Sequence, residues 1–106
     1  MAVTIATKGT FQQEVINQKG VTLVDFFAEW CGPCKATGPI IDVLSEEMKD
    51  VKFVKVDVDS NQELAGNYSV FSIPTFLIFQ DGVVKTQFVG AHSKEGFEEE
   101  IKKVTG

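Results

Sequence analysis

The chain has 106 residues, a formal net charge of −5 and 43% hydrophobic residues, enough for one domain with a modest core. That acidic balance, with no run of Lys or Arg, excludes a phosphate-tracking nucleic-acid surface, and no apolar stretch reaches the roughly 20 residues of a membrane-spanning helix. The first ten residues lack the basic start and long apolar centre of a secretory leader, so the expectation is a cytoplasmic protein that meets neither nucleic acid nor membrane.

The hydrophobic pattern changes period repeatedly along the chain, as alternating strands and helices require. Val3–Ala6 predicts a short strand. Thr10 with Gln13 three residues on is a capping-box pattern and predicts a helix to about Gln18, closed by Gly20. Val21–Ala28 is a nearly continuous apolar run, the mark of a central strand covered on both faces. A helix over about Cys34–Lys49 follows from the stripe Ile40, Ile41, Leu44 and Met48. Pro39 removes a backbone bond inside it and predicts a kink. Lys52–Val58 alternates and reads as a strand, and Ser60 with Glu63 predicts a capped helix to about Tyr68. Thr75–Phe79 and Val83–Val89 flank Gln80-Asp81-Gly82, a hairpin signal. Ser93 then opens a last helix to about Val104, with Phe97, Ile101 and Val104 facing inward.

The order is therefore β-α-β-α-β-α-β-β-α. Crossover helices in the first half imply parallel pairing, and the second half is an antiparallel hairpin plus a helix. The expected architecture is α/β: a single domain over residues 1–106 with a central mixed five-stranded sheet flanked by four helices.

Only two cysteines occur, Cys31 and Cys34. A disulfide scaffold spreads several cysteines to staple distant segments. A bridge across so short a loop removes little unfolded-state entropy, so this pair suits reversible chemistry better than stapling. The segment Trp30-Cys31-Gly32-Pro33-Cys34-Lys35 lies between the buried strand and the second helix. With Cys31 at the N-cap, its sulfur faces unpaired N–H groups at the positive end of the helix dipole, which favours thiolate over thiol. Pro33 offers no N–H, which early helix positions tolerate. The donors left are the backbone N–H of Cys34 or its neighbour, and the Cys34 thiol itself.

Cys34 falls on the same helix face one turn on, near Cys31 but expected to be more buried. That asymmetry suits a two-step exchange. An exposed Cys31 attacks a substrate disulfide, and a shielded Cys34 then resolves the mixed disulfide. The second attack needs a base, and Asp25 is the candidate, because it interrupts the run Val21–Phe27 where a carboxylate is costly. Desolvation there raises a carboxyl's pKa towards neutrality. Lys55, on the next strand, would oppose that rise.

Together these residues resemble the thioredoxin family over essentially the whole chain, and a CxxC beside a βαβ pattern is the standard signature of that family. The likeness runs through Val24-Asp25-Phe26, Trp30-Cys31-Gly32-Pro33-Cys34-Lys35 and Pro39. It continues through Val54–Asp59, Ser72-Ile73-Pro74-Thr75, Asp81-Gly82 and Val89-Gly90. The resemblance implies the thioredoxin fold and a monomeric protein disulfide reductase acting on disulfide-containing proteins. In this reading Cys31 is the nucleophile, Cys34 the resolving thiol, and Asp25 the proton-transfer residue linked to Lys55. Ile73-Pro74 becomes a cis-proline loop beside the cysteines. Trp30, Gly32, Pro33, Ile73, Pro74, Gly90 and Ala91 become the substrate-contact surface. Electrons would come from an NADPH-dependent flavin protein, thioredoxin reductase, since the chain has no cofactor motif of its own. One departure is Phe27, where many family members carry a second tryptophan. Gly32-Pro33 adds no cation to stabilise the thiolate further, which points to a reductant rather than an oxidant.

Other readings are weaker. A zinc site needs four ligands, and one CxxC with the lone His92, read as a surface loop residue, does not supply them. Asp57, Asp59 and Asn61 imitate the start of a calcium loop, but Gln62 and Tyr68 stand where Gly and Glu are required. The rival from another class is a non-catalytic thioredoxin-fold binding subunit that uses the apolar surface around Trp30.

Overall fold

The computed structural model describes residues 3–106. Strands β1 (Val3–Ile5), β2 (Val21–Phe27), β3 (Val51–Asp57), β4 (Thr75–Gln80) and β5 (Val83–Val89) form one sheet in the order β1-β3-β2-β4-β5. β1, β3 and β2 are parallel, and β4 and β5 add antiparallel. The α-helices are α1 (Gly32–Glu47), α2 (Gln62–Asn67) and α3 (Lys94–Thr105), and a π-helical stretch spans Gln12–Ile16. The expected α/β architecture and mixed five-stranded sheet are present.

Alternation along the central strands sorts the core into two layers. Val24, Phe26, Val54 and Val56 pack with Phe11, Val15 and Leu64 on one face. Val21, Leu23, Val51 and Phe53 pack with Ile41 and Leu44 of α1 and with Phe97 and Ile101 of α3 on the other. Asp25 shares the phase of Leu23 and so lies on the face covered by α1 and α3. Because β2 is hydrogen-bonded on both sides, to β3 and to β4, Asp25 has no open edge through which to reach water.

The first of the four expected helices differs in kind. The Thr10 hydroxyl accepts the N–H of Thr7 behind it at 2.9 Å instead of capping forward, and the Asn17 N–H reaches back to the Gln12 carbonyl at 2.8 Å. The capping expectation at Ser60 also fails. The N-cap of α2 is Asn61, with no side-chain cap. Its amide instead accepts from the Lys8 N–H at 2.8 Å and donates to the Asp57 carbonyl at 2.9 Å, tying the β1 exit to the β3 exit. Helix α1 starts two residues before the expected Cys34, at Gly32, and contains Pro39. At the other end of the chain local signals held. Asp81 and Gly82, with φ of 52° and 81°, make a two-residue hairpin turn of the kind that requires left-handed backbone. Ser93 caps α3 by accepting from the Gly96 N–H at 3.0 Å.

Candidate active site

Cys31 is the N-cap of α1, with extended backbone (φ −86°, ψ 114°). The first-turn position of Pro33 removes one donor, and the Cys34 N–H takes the role, donating to Cys31 Sγ at 3.2 Å. Of the donors left open by the sequence, the backbone N–H of Cys34 is the one in place. The two cysteines are bonded to each other with their Cα atoms 5.2 Å apart. An N–H aimed at Cys31 Sγ from a helix start stabilises negative charge on that sulfur once the bridge is reduced.

The expected asymmetry of exposure is not met. Cys31 is 4% exposed and Cys34 is 6%. Bridging draws both sulfurs together under Ala28, Phe27, Val58 and Ile73, so burial does not distinguish them in this state. What distinguishes them is electrostatic: Cys31 holds the N-cap and receives the N–H. Gly32 and Pro33 between them are exposed. Trp30 stands 69% exposed, and its indole N–H donates to Asp59 Oδ2 at 2.7 Å. It is therefore a fixed surface ring and not a core side chain.

Asp25 is wholly buried, and neither carboxylate oxygen has a hydrogen-bond partner among the described residues. Desolvation by burial pushes its pKa from 3.8 up to about 7, with the Lys55 charge pulling the other way. Lys55 is its register neighbour on β3, and the Lys55 ammonium sits 4.9 Å from the centre of the Phe27 ring. Cys34, Phe27, Gly38, Pro39 and Lys55 line an open cleft of about 520 Å³. The second cysteine and the Lys55 cation thus share one cleft beneath α1, and Asp25 is buried next to Lys55 in the strand register.

The Ile73–Pro74 bond is cis. Ile73 packs half-buried against the cysteine cluster, whereas Pro74 is buried and contributes its carbonyl, which accepts the Gly90 N–H at 2.8 Å. Gly90 takes φ 97°, a backbone open to glycine. This bond joins the Ile73 loop to the end of β5, with Ala91 exposed beside it.

Three features are not evident from the sequence pattern. Asp59, which there closes the Val54–Asp59 likeness and enters a failed calcium pattern but is given no role, anchors Trp30. Val58 packs on the cysteines. Phe71 is 87% exposed beside the Ile73 loop, and an aromatic residue two positions before that loop was the available signal. His92 is also more than a surface loop residue. It is half-buried, with its ring edge-on to Phe88 at 4.9 Å.

The family model described as Thioredoxin matches residues 2–103. A thioredoxin of Bacillus subtilis (strain 168) is 48% identical over 104 residues, covering 97% of this chain and 98% of the relative. A thioredoxin of Porphyra purpurea is 40% identical over 104 residues, covering 97% of each. One of Listeria monocytogenes is 44% identical over 98 residues, covering 92% of this chain and 93% of the relative. No helix among the described residues is long and apolar enough to cross a membrane. With a helix-capping CxxC pair closed into a disulfide, the chain belongs to the thioredoxin family and is a thiol–disulfide oxidoreductase, a protein disulfide reductase working through Cys31 and Cys34.

Proposed function

We propose that residues 1–106 act as one monomeric domain in the cytoplasm, in which Cys31 attacks, Cys34 resolves and Asp25 carries the proton. The observation that carries this reading is the Cys34 N–H aimed at Cys31 Sγ from the first turn of α1. In the dithiol form the Cys31 thiolate attacks one sulfur of a substrate disulfide. A Cys31–substrate bond forms, the substrate S–S bond breaks, and the departing thiolate takes a proton from solvent. Cys34 then gives its proton to the Asp25 carboxylate and attacks Cys31 Sγ. The Cys31–Cys34 bond forms and the second substrate thiolate leaves. Two electrons pass to the substrate, and an external dithiol of the thioredoxin reductase type restores the pair. The Lys55 charge keeps Asp25 from rising too far to act as a base near neutral pH.

Trp30, Gly32, Pro33, Ile73, Gly90 and Ala91 form the contact surface, and the Ile73 backbone pairs with an extended substrate segment in the manner of strand addition. Pro74 acts beneath it through the carbonyl that holds Gly90. Insulin reduction tests turnover. A Cys34→Ser variant is expected to accumulate mixed disulfides through Cys31, and a Cys31→Ser variant is not. Adducts on Cys34 instead would reverse the two roles, and absence of insulin reduction by the intact dithiol would favour a binding subunit.

A further inference from the structure

The Lys55 side chain is a flexible four-carbon stem carrying a compact charge, and something must hold that charge near Asp25 for it to act there. Asp25 does not hold it by a hydrogen bond, since both carboxylate oxygens lack a partner among the described residues. No ion pair within 4.0 Å holds it either among the described residues. This is so even though Glu29 and Asp42 line the same cleft, together with the like-charged Lys35 and with Cys34. The strands that flank Asp25 and Lys55 on the far sides present apolar residues, Phe76 and Ile5.

The contact that remains is aromatic. Phe27 follows Asp25 by two residues on β2, so both rise from the same face, and Lys55 Nζ lies 4.9 Å from the ring centroid, inside cation–π range. Gly38 of α1 lies alongside, where even an added Cβ would be in ordinary contact at 3.7 Å from Nζ. We propose that Phe27 is a positioning residue for Lys55, its ring face holding the ammonium in the cleft beside Asp25 so that the charge sets the pH range over which Asp25 exchanges its proton. A phenylalanine suffices, because the ring quadrupole and not an indole N–H supplies the attraction.

The catalytic meaning of this clamp rests on the reading of Asp25 as the proton acceptor, but the clamp itself is testable without it. The measurement is the titration midpoint of the Asp25 carboxyl carbon, followed by NMR in the oxidised full chain. Lys55→Met raises the midpoint, because an attractive charge is lost. Phe27→Leu raises it in the same direction and by no more than Lys55→Met does, because the ring acts on Asp25 only through the ammonium. Phe27→Trp, which keeps a ring face, leaves it near the wild-type value and serves as the readout should Leu disturb folding. In the Lys55→Met background Phe27→Leu adds no further change. A Phe27→Leu midpoint equal to wild type, a change that persists without Lys55, or a Trp variant that behaves like Lys55→Met would each overturn the clamp. Midpoints that move as expected while Asp25→Asn resolves mixed disulfides at the wild-type rate would leave the clamp standing and remove Asp25 from the mechanism.

Discussion

Replacing Asp25 by Asn should make the oxidised protein more stable, and by an amount that grows with pH. Asp25 is wholly buried with no hydrogen-bond partner among the described residues, and its pKa is raised from 3.8 to about 7, first by desolvation and against the pull of Lys55. A folded-state pKa above the unfolded one means that the native state binds the proton more tightly, so stability falls as pH rises between the two values. Below 3.8 the group is neutral in both states and imposes no penalty. Above about 7 it is charged in both. The penalty then reaches a plateau of about 4 kcal/mol, because each pH unit separating the folded and unfolded pKa is worth roughly 1.4 kcal/mol. Asn keeps the shape and removes the charge. The advantage of the variant is thus expected to be about 2 kcal/mol at pH 5 and about 4 kcal/mol at pH 9. In urea, with a slope near ~1.5 kcal/mol/M, the pH 9 difference moves the unfolding midpoint up by roughly 2–3 M. Paired urea titrations of the disulfide forms at the two pH values provide the measurement. A difference that stays constant with pH, or an Asn variant less stable than wild type at pH 9, would refute the desolvation account.

The resolving step should accelerate as pH rises through about 7, because Asp25 must be ionised to accept the Cys34 proton; stopped-flow release of thiol from a preformed mixed disulfide should show this dependence in wild type and lose it in Asp25→Asn. Gly82→Ala is expected to cost at least about 1–2 kcal/mol in thermal or urea unfolding, because the residue holds φ 81° and an added Cβ would run into the Ile16 carbonyl oxygen. Ser93→Ala should cost about 1 kcal/mol through loss of the cap on Gly96 N–H while leaving insulin reduction at the wild-type rate. Trp30→Ala, at an exposed ring, should change stability by less than about 0.5 kcal/mol yet lower kcat/KM for protein disulfides, a separation read by comparing urea midpoints with insulin kinetics.

Local chemistry was sufficient for much of this molecule. The nearly continuous apolar run of β2, the Asp81-Gly82 turn, the Ser93 cap and the CxxC at a helix start each depend on residues a few positions apart, and each is legible in the sequence. The same is true of the oddness of a carboxylate at Asp25. What the chain order could not specify were contacts between distant segments. Asn61 serves Lys8 and Asp57 instead of capping α2. Asp59 reaches across 29 positions to the Trp30 indole. Phe27, met in the sequence only as a missing tryptophan, meets Lys55 across two strands. The near-equal burial of the two cysteines also came from tertiary packing, because the residues covering them arrive from the end of β2, the segment just after β3 and the Ile73 loop. Helix caps, turns and strand patterns are settled by short-range sterics and hydrogen bonds. How strongly a carboxylate is desolvated, and which group steadies the charge beside it, is settled only when separate strands close around them.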